Sequence, residues 1–107
     1  MTEFEPDLIA DVTLYSTVDG GRKGPLRGDL HEWFGCPCKL QKSDERAWDC
    51  RFLIKGLVVQ PGETRRLGMI FLSREMALPI FTGTGRFYLW EGRIIGEAEV
   101  LEPAHQS

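Results

Sequence analysis

The sequence predicts an all-β fold, a barrel or sandwich of six or seven short antiparallel strands. Three observations predict it. Apolar and polar residues alternate at period two in several separate stretches. Clusters rich in Gly and Pro divide those stretches, with 12 Gly and 6 Pro in 107 residues. No stretch carries an amphipathic helical pattern of useful length.

The clearest element is a hairpin over Gly83 to Val100, GTGRFYLWEGRIIGEAEV, turning at Glu91-Gly92. Pairing back from that turn sets Trp90 opposite Arg93, Leu89 opposite Ile94 and Phe87 opposite Gly96. Side chains alternate faces along a strand, so Phe87, Leu89, Ile94, Ala98 and Val100 form an inner face. Tyr88, Trp90, Arg93, Glu97 and Glu99 form the outer one, joined by Ile95. One apolar and one polar face is the pattern of an antiparallel sheet wetted on one side.

The remaining elements follow in order. Residues 1–7 read as a frayed, acidic start. From Leu8 to Ser16 the chain alternates, with Leu8, Ala10, Val12 and Leu14 on one face. A turn cluster over Asp19 to Pro25 follows. Glu32 to Leu40 reads as a bulged or edge strand, because Gly35 and Pro37 interrupt it. Gln41 to Arg46 is a polar loop. Trp48 to Lys55 alternates again, with Trp48, Cys50, Phe52 and Ile54 inward, and Leu57 to Val59 extends it past Gly56. Gln60-Pro61-Gly62-Glu63 is a turn with Pro in its second place. Leu67 to Leu72 is apolar on both faces, as a strand covered on both sides would be. Ser73 to Leu78 allows one helical turn that Pro79 stops, leaving Ile80-Phe81 as a short strand. Pro103 to Ser107 is a tail.

At 107 residues the chain reads as one domain, with an ordered core over about residues 8–102 that needs no staples. A net charge of −3 gives no global reason to expect nucleic acid. No apolar run spans a bilayer, and the acidic start differs from a basic secretory leader. Three cysteines, an odd number, point to a reducing compartment, and the cytoplasm is the expected location.

Several motifs, in this order, resemble the C-terminal β-barrel, or third domain, of translation elongation factor Tu. Gly20-Gly21-Arg22 followed by Pro25 is similar to that domain's Gly-Gly-Arg turn and Pro. Pro61-Gly62-Glu63 stands where the family has Pro-Gly-Asp, Pro79-Ile80 resembles its Pro-Ile, and Arg86-Phe87 its Arg-Phe. Trp90-Glu91-Gly92-Arg93-Ile94-Ile95-Gly96 resembles its closing hairpin. The match runs from about Ile9 to Leu101 and implies a six-stranded antiparallel barrel with a translation-related fold. The resemblance also implies an RNA contact at Arg22 and Lys23, and another near Gly92. Asp29-Leu30-His31-Glu32 stands where the family has Tyr-Arg-Pro-Gln, and its two acids would repel phosphate. The GTP-binding domain is missing, and no Gly-x-x-x-x-Gly-Lys-Ser/Thr loop occurs, so no nucleotide is expected.

The chemistry-bearing residues divide into four groups. Cys36, Cys38 and Cys50 with His31 supply zinc-ligand types, but one residue between Cys36 and Cys38 is too few for a zinc knuckle; buried thiols are the simpler reading. Arg22, Lys23, Arg27, Arg65, Arg66 and Arg93 make either a phosphate-binding face or a scatter of solvated arginines. Trp33, Trp48, Tyr88 and Trp90 make either a stacking platform or core. Trp90, outward and beside Arg93, forms with Tyr88 and Ile95 a candidate protein-contact patch with cation–π stacking of Arg93 on Trp90. No motif of a hydrolase, zinc peptidase or paired-carboxylate enzyme occurs. The sequence therefore reads as a non-enzymatic module without cofactor or metal, docking on a protein through Tyr88, Trp90, Arg93 and Ile95. An RNA-backbone module using Arg22, Lys23 and Gly92 is the alternative, and a small enzyme or zinc-binding domain is third.

Overall fold

A computed structural model describes residues 5–103. Six strands close into an antiparallel barrel. They are β1 (Leu8–Leu14), β3 (Trp33–Lys39), β4 (Trp48–Leu53), β6 (Thr64–Phe71), β7 (Arg86–Trp90) and β8 (Ile94–Pro103), arranged around the barrel as β1-β6-β4-β3-β7-β8 with β8 returning to β1. The short strands β2 (Leu26–Arg27) and β5 (Val58–Val59) pair with each other outside this ring. One helix, α1 (Arg74–Thr84), connects β6 to β7. The all-β barrel expected from the alternation is the fold observed.

Period-two patterning becomes the barrel interior almost residue for residue. Leu8, Ala10, Val12 and Leu14 of β1 are all fully buried, as are Phe52 of β4, Met69 of β6, and Phe87 and Leu89 of β7. Trp48, Cys50 and Ile54 also turn inward, as their spacing requires. In β6, Leu67, Met69 and Phe71 are buried while Gly68 and Ile70 are half-buried, so that strand is covered mainly on one face. Leu72, expected to continue it, is 58% exposed.

β3 accommodates its proline because its pairing is lopsided. Trp33 to Cys38 run opposite β4, whereas the ladder to β7 holds only Cys38 and Lys39. Over Trp33 to Pro37 the strand is locally an edge, where a missing N–H removes no ladder bond on the open side. The edge character expected from Pro37 is thus present within a closed barrel. Gly28, after β2, marks another tight approach: a Cβ there would lie 1.7 Å from the Ile54 carbonyl oxygen, so only glycine fits.

The helix corrects the sequence reading. In place of one turn, a stop at Pro79 and a short strand at Ile80-Phe81, α1 runs through Pro79 to a left-handed cap at Gly85, whose N–H donates to the Phe81 carbonyl. Ala77 and Phe81, four apart and on one face, are both buried. The Phe81 ring meets Phe71 at 4.8 Å and Phe87 at 5.0 Å, with Trp48 edge-on at 6.3 Å. Burying that ring among the barrel aromatics outweighs the backbone bond that Pro79 forfeits. Asp7, the last residue of the segment expected to fray, is fixed in place. Asp7 is buried; its carboxylate accepts the Phe71 N–H at 3.1 Å and the Arg74 Nε–H at 2.8 Å, tying the N-terminal segment to the head of α1. β8 reaches Pro103, the start of the expected tail, and residues 1–4 and 104–107 lie outside the described residues.

Candidate functional site

The β7–β8 hairpin forms, but its register differs from the expected one. Trp90 pairs with Ile94, Leu89 with Gly96 and Phe87 with Ala98, with an irregularity between Leu89 and Trp90. The loop is Glu91-Gly92-Arg93, one residue wider than a two-residue turn, and the Glu91 N–H donates to the Arg93 carbonyl at 2.8 Å. Gly92 has φ +75°, which a residue with a side chain resists. Glu-Gly is a poor two-residue turn, and the extra residue is the physical outcome. The body of the ladder is displaced by two residues, which keeps Ala98 inward and Glu99 outward. The irregularity leaves Ile95 as an extra residue between the Trp90–Ile94 and Leu89–Gly96 pairs; Ile95 is 1% exposed, while Ile94 is half-buried. The placement of Ile95 in an outer contact patch, and of Ile94 in the core, is corrected accordingly.

Tyr88 and Trp90 do lie on the outer face, each half-buried, on either side of the fully buried Leu89. Arg93 does not stack on Trp90. Its Nε donates to the Gly20 carbonyl at 2.7 Å and its Nη2 to the Gly21 carbonyl at 3.0 Å. The cation over Trp90 is Lys39, with Nζ 4.8 Å from the ring centroid. Lys42 Nζ lies 5.4 Å from the Tyr88 ring and 6.0 Å from that of Tyr15. Tyr15 OH donates to Glu97 Oε1 at 3.0 Å, and Arg86 Nη1 donates to Glu97 Oε2 at 2.8 Å. Burial, and then the bond and charge of Glu97, push the Tyr15 phenol up to about 12. Lys39, Lys42 and Tyr15 were not singled out from the sequence. Cross-strand register alone brings Lys39 beside Tyr88, and Lys42 sits in a polar loop without periodicity.

Arg22 and Lys23 occupy the turn before β2. With Gly24, Glu91, Arg93 and Ile95 they line an open recess of about 350 Å³ between that turn and the hairpin loop. Gly21 permits the close packing: a Cβ there would fall 2.0 Å from the Tyr15 carbonyl oxygen. Arg22 is engaged on three sides, with Nη1 3.0 Å from Glu91 Oε2, Nε bonded to the Gly24 carbonyl, and its guanidinium 4.9 Å from the Phe34 ring centroid. Lys23 is exposed and forms no ion pair among the described residues. Gly92 lies at the loop tip, and a Cβ there would meet open space.

The other basic residues do not assemble into one face. Arg27 pairs with Asp29 at 2.6 Å, Arg65 with Glu63 at 3.6 Å and Arg66 with Asp11 at 3.0 Å. Nor do the aromatic residues form a single platform. Trp48 belongs to the core, and Trp33 lies against Arg51, 4.2 Å from guanidinium carbon to ring centroid. Cys36 and Cys50 are directly opposed across β3 and β4, and all three cysteines are buried free thiols. His31 is exposed in the loop before β3. Among the described residues no group of three or more His, Cys, Asp or Glu is placed to hold a metal ion, and no helix is long and apolar enough to cross a membrane.

In comparisons with known proteins, the chain matches no family model and no curated protein. The architecture agrees with the six-stranded antiparallel barrel that the resemblance to the third domain of elongation factor Tu implies.

Proposed function

We propose that this chain is a non-enzymatic binding module, working in the cytoplasm, that docks on a protein partner through the outer face of the β7–β8 hairpin. One observation carries the reading: the barrel completes its core without Tyr88 and Trp90, whose rings remain on the surface on either side of the fully buried Leu89. Partly exposed aromatic rings held in fixed positions are the anchors from which protein interfaces draw most of their energy. With Ile95 buried, the surface is aromatic and cationic in place of aromatic and apolar. Lys39 and Lys42 present their ammonium groups at the rings, which suits a partner segment carrying carboxylates beside an apolar side chain. Arg93 serves this face from behind by bracing the loop. Kinship with the third domain of elongation factor Tu belongs to the same proposal, supported by the barrel and the motif order.

The second reading, an RNA-backbone module, is favoured by the meeting of Arg22, Lys23 and Arg93 around one recess. Against it, Arg22 is already paired with Glu91 and Arg93 with two carbonyls, which leaves Lys23 as the cation available to phosphate there. Capture from cell extract with and without nuclease, followed by binding of the captured partner across a salt series, separates the two. Docking predicts nuclease-resistant capture, weakened by about 2 kcal/mol or more in Trp90→Ala and little changed in Lys23→Ala. Nuclease-sensitive capture that survives Trp90→Ala, with a salt dependence reduced by about one in slope in Lys23→Ala, would reject docking in favour of RNA.

A further inference from the structure

Cys36, Cys38 and Cys50 form a compact group of thiols that meets the proposed contact surface only where Cys36 Sγ lies 3.5 Å from the Trp90 carbonyl. They are 2%, 0% and 2% exposed. Cys36 and Cys50 are direct partners in the β3–β4 ladder, with both side chains on the inner face. Opposed residues of an antiparallel pair have Cα atoms about 4.5–5.5 Å apart, within the roughly 4.4–6.8 Å that a disulfide bridges. Cys38 stands opposite Trp48 and so faces no cysteine across the ladder; its Sγ lies 3.6 Å from the Cys36 carbonyl, with Cys36 and Cys50 as its thiol neighbours. Burial, then those neighbours, push the Cys38 thiol well up and keep it protonated.

We propose that Cys36 and Cys50 are an oxidation-responsive pair that closes into a cross-strand disulfide on exposure to hydrogen peroxide or an organic hydroperoxide, while Cys38 remains a thiol. Cys36 is the sulfur that reacts first. Its Sγ lies 3.4 Å from the Pro37 carbonyl and 3.5 Å from the Trp90 carbonyl, both in half-buried residues, whereas the Cys50 and Cys38 sulfurs lie against the carbonyls of the buried Trp48 and Cys36. It also lies on the part of β3 that pairs with β4 alone. In the first step the Cys36 sulfur, as thiolate, attacks one peroxide oxygen and the O–O bond breaks. The departing oxygen takes up the proton the thiol released and leaves as water, or as an alcohol from a hydroperoxide, with Cys36 as sulfenic acid. In the second step the Cys50 sulfur attacks that of Cys36, the S–O bond breaks, and the hydroxide leaves with the Cys50 proton as water. Two thiols and one peroxide become one disulfide and two waters; the sulfurs supply the two electrons that the peroxide accepts. The product would tie the open stretch of β3 covalently to its neighbour.

The test uses the full chain, reduced and folded, treated with hydrogen peroxide, then alkylated in denaturant and mapped by mass spectrometry. The expected result is a loss of two hydrogen masses, one alkylated cysteine (Cys38), a peptide linking Cys36 to Cys50, and recovery of three free thiols with dithiothreitol. Cys38→Ser should retain the mass loss. The mapping is decisive on the unsubstituted chain, so it does not depend on whether Cys36→Ser or Cys50→Ser folds. Three free thiols after peroxide, a bridge that includes Cys38, oxygen adducts without a bridge, or a disulfide between two chains would each overturn the proposal.

Discussion

Replacing Phe81 by alanine is the sharpest test of how this barrel is closed at the end where α1 lies. The ring is fully buried, packed at 4.8 Å and 5.0 Å between Phe71 and Phe87 with Trp48 edge-on. Truncating such a ring costs about 3–5 kcal/mol through lost transfer energy and the cavity left behind. Alanine is a better helix former than phenylalanine by about 0.5 kcal/mol, so the net loss is about 2.5–4.5 kcal/mol. For a domain of this size that lowers Tm by roughly 10–35 °C and removes a large share of a total stability of about 5–15 kcal/mol. Urea unfolding followed by tryptophan fluorescence gives the magnitude, since Trp48 touches the ring directly. Met76→Ala, on the same helix but 58% exposed, is the control and should change stability by no more than about 0.5 kcal/mol. A loss below about 1 kcal/mol for Phe81→Ala would show that α1 lies loosely on the barrel, and the account of a helix held by its buried face despite Pro79 would fail.

Three further outcomes are expected. Pro79 is exposed and beyond the first turn of α1, so Pro79→Ala should restore a helical hydrogen bond and stabilise by about 1–2 kcal/mol after the entropy returned to the unfolded chain; chemical denaturation that shows a loss would mean the ring itself is packed. Asp7→Ala leaves the buried Phe71 N–H and Arg74 without their acceptor and should cost about 1.5–3 kcal/mol, against about 0.5–1 kcal/mol for the half-exposed partner in Arg74→Ala; equal losses measured by thermal unfolding would count against the backbone bond. Tyr15 holds its proton more tightly when folded, so its contribution to stability is complete below its ordinary value near 10 and lost as pH rises towards 12. Phenolate absorbance should show a component with its midpoint at about 12 that Tyr15→Phe abolishes and Glu97→Gln brings down; a Tyr15 midpoint near 10 would refute the role given to Glu97.

Alternation was legible wherever the structure obeys a single period. Leu8 to Leu14 and Trp48 to Phe52 reveal their inner faces from spacing alone, because each strand has one side in the barrel. The hairpin was legible in existence and position but not in register, since Glu91-Gly92 fixes neither turn type nor loop length. The wider loop and the bulge beside it then left Ile95 unpaired and buried, where strict alternation had placed it outside. Helix α1 was hidden by Pro79, whose local preference argues for a break. What overrides it is the burial of Phe81 against Phe71 and Phe87, residues from other parts of the sequence. The pairing of Arg27 with Asp29 lies within reach of the sequence. The pairings of Arg22 with Glu91 and Arg66 with Asp11 do not, because they require knowing which strands and turns meet.

Those long-range contacts also change how the two candidate surfaces relate. From the sequence, the Arg22 turn and the hairpin with Trp90 are alternatives standing on separate loops. In the fold they form one braced unit: Arg93 reaches from the hairpin to the carbonyls of Gly20 and Gly21, and Arg22 reaches back to Glu91. Cys36 adds a contact from β3 to the Trp90 carbonyl. Arginines committed in this way act as struts, and their positive charge is largely answered within the protein before any phosphate approaches. The Lys39 and Lys42 ammonium groups, by contrast, face aromatic rings and form no ion pair among the described residues. Rigid rings with uncommitted cations at their edge reduce the ordering a partner must impose, which is where a small interface gains affinity. The bracing therefore fits the proposed docking through the hairpin, where it would leave the surface preformed, and it accounts for the position of Arg93 as a strut.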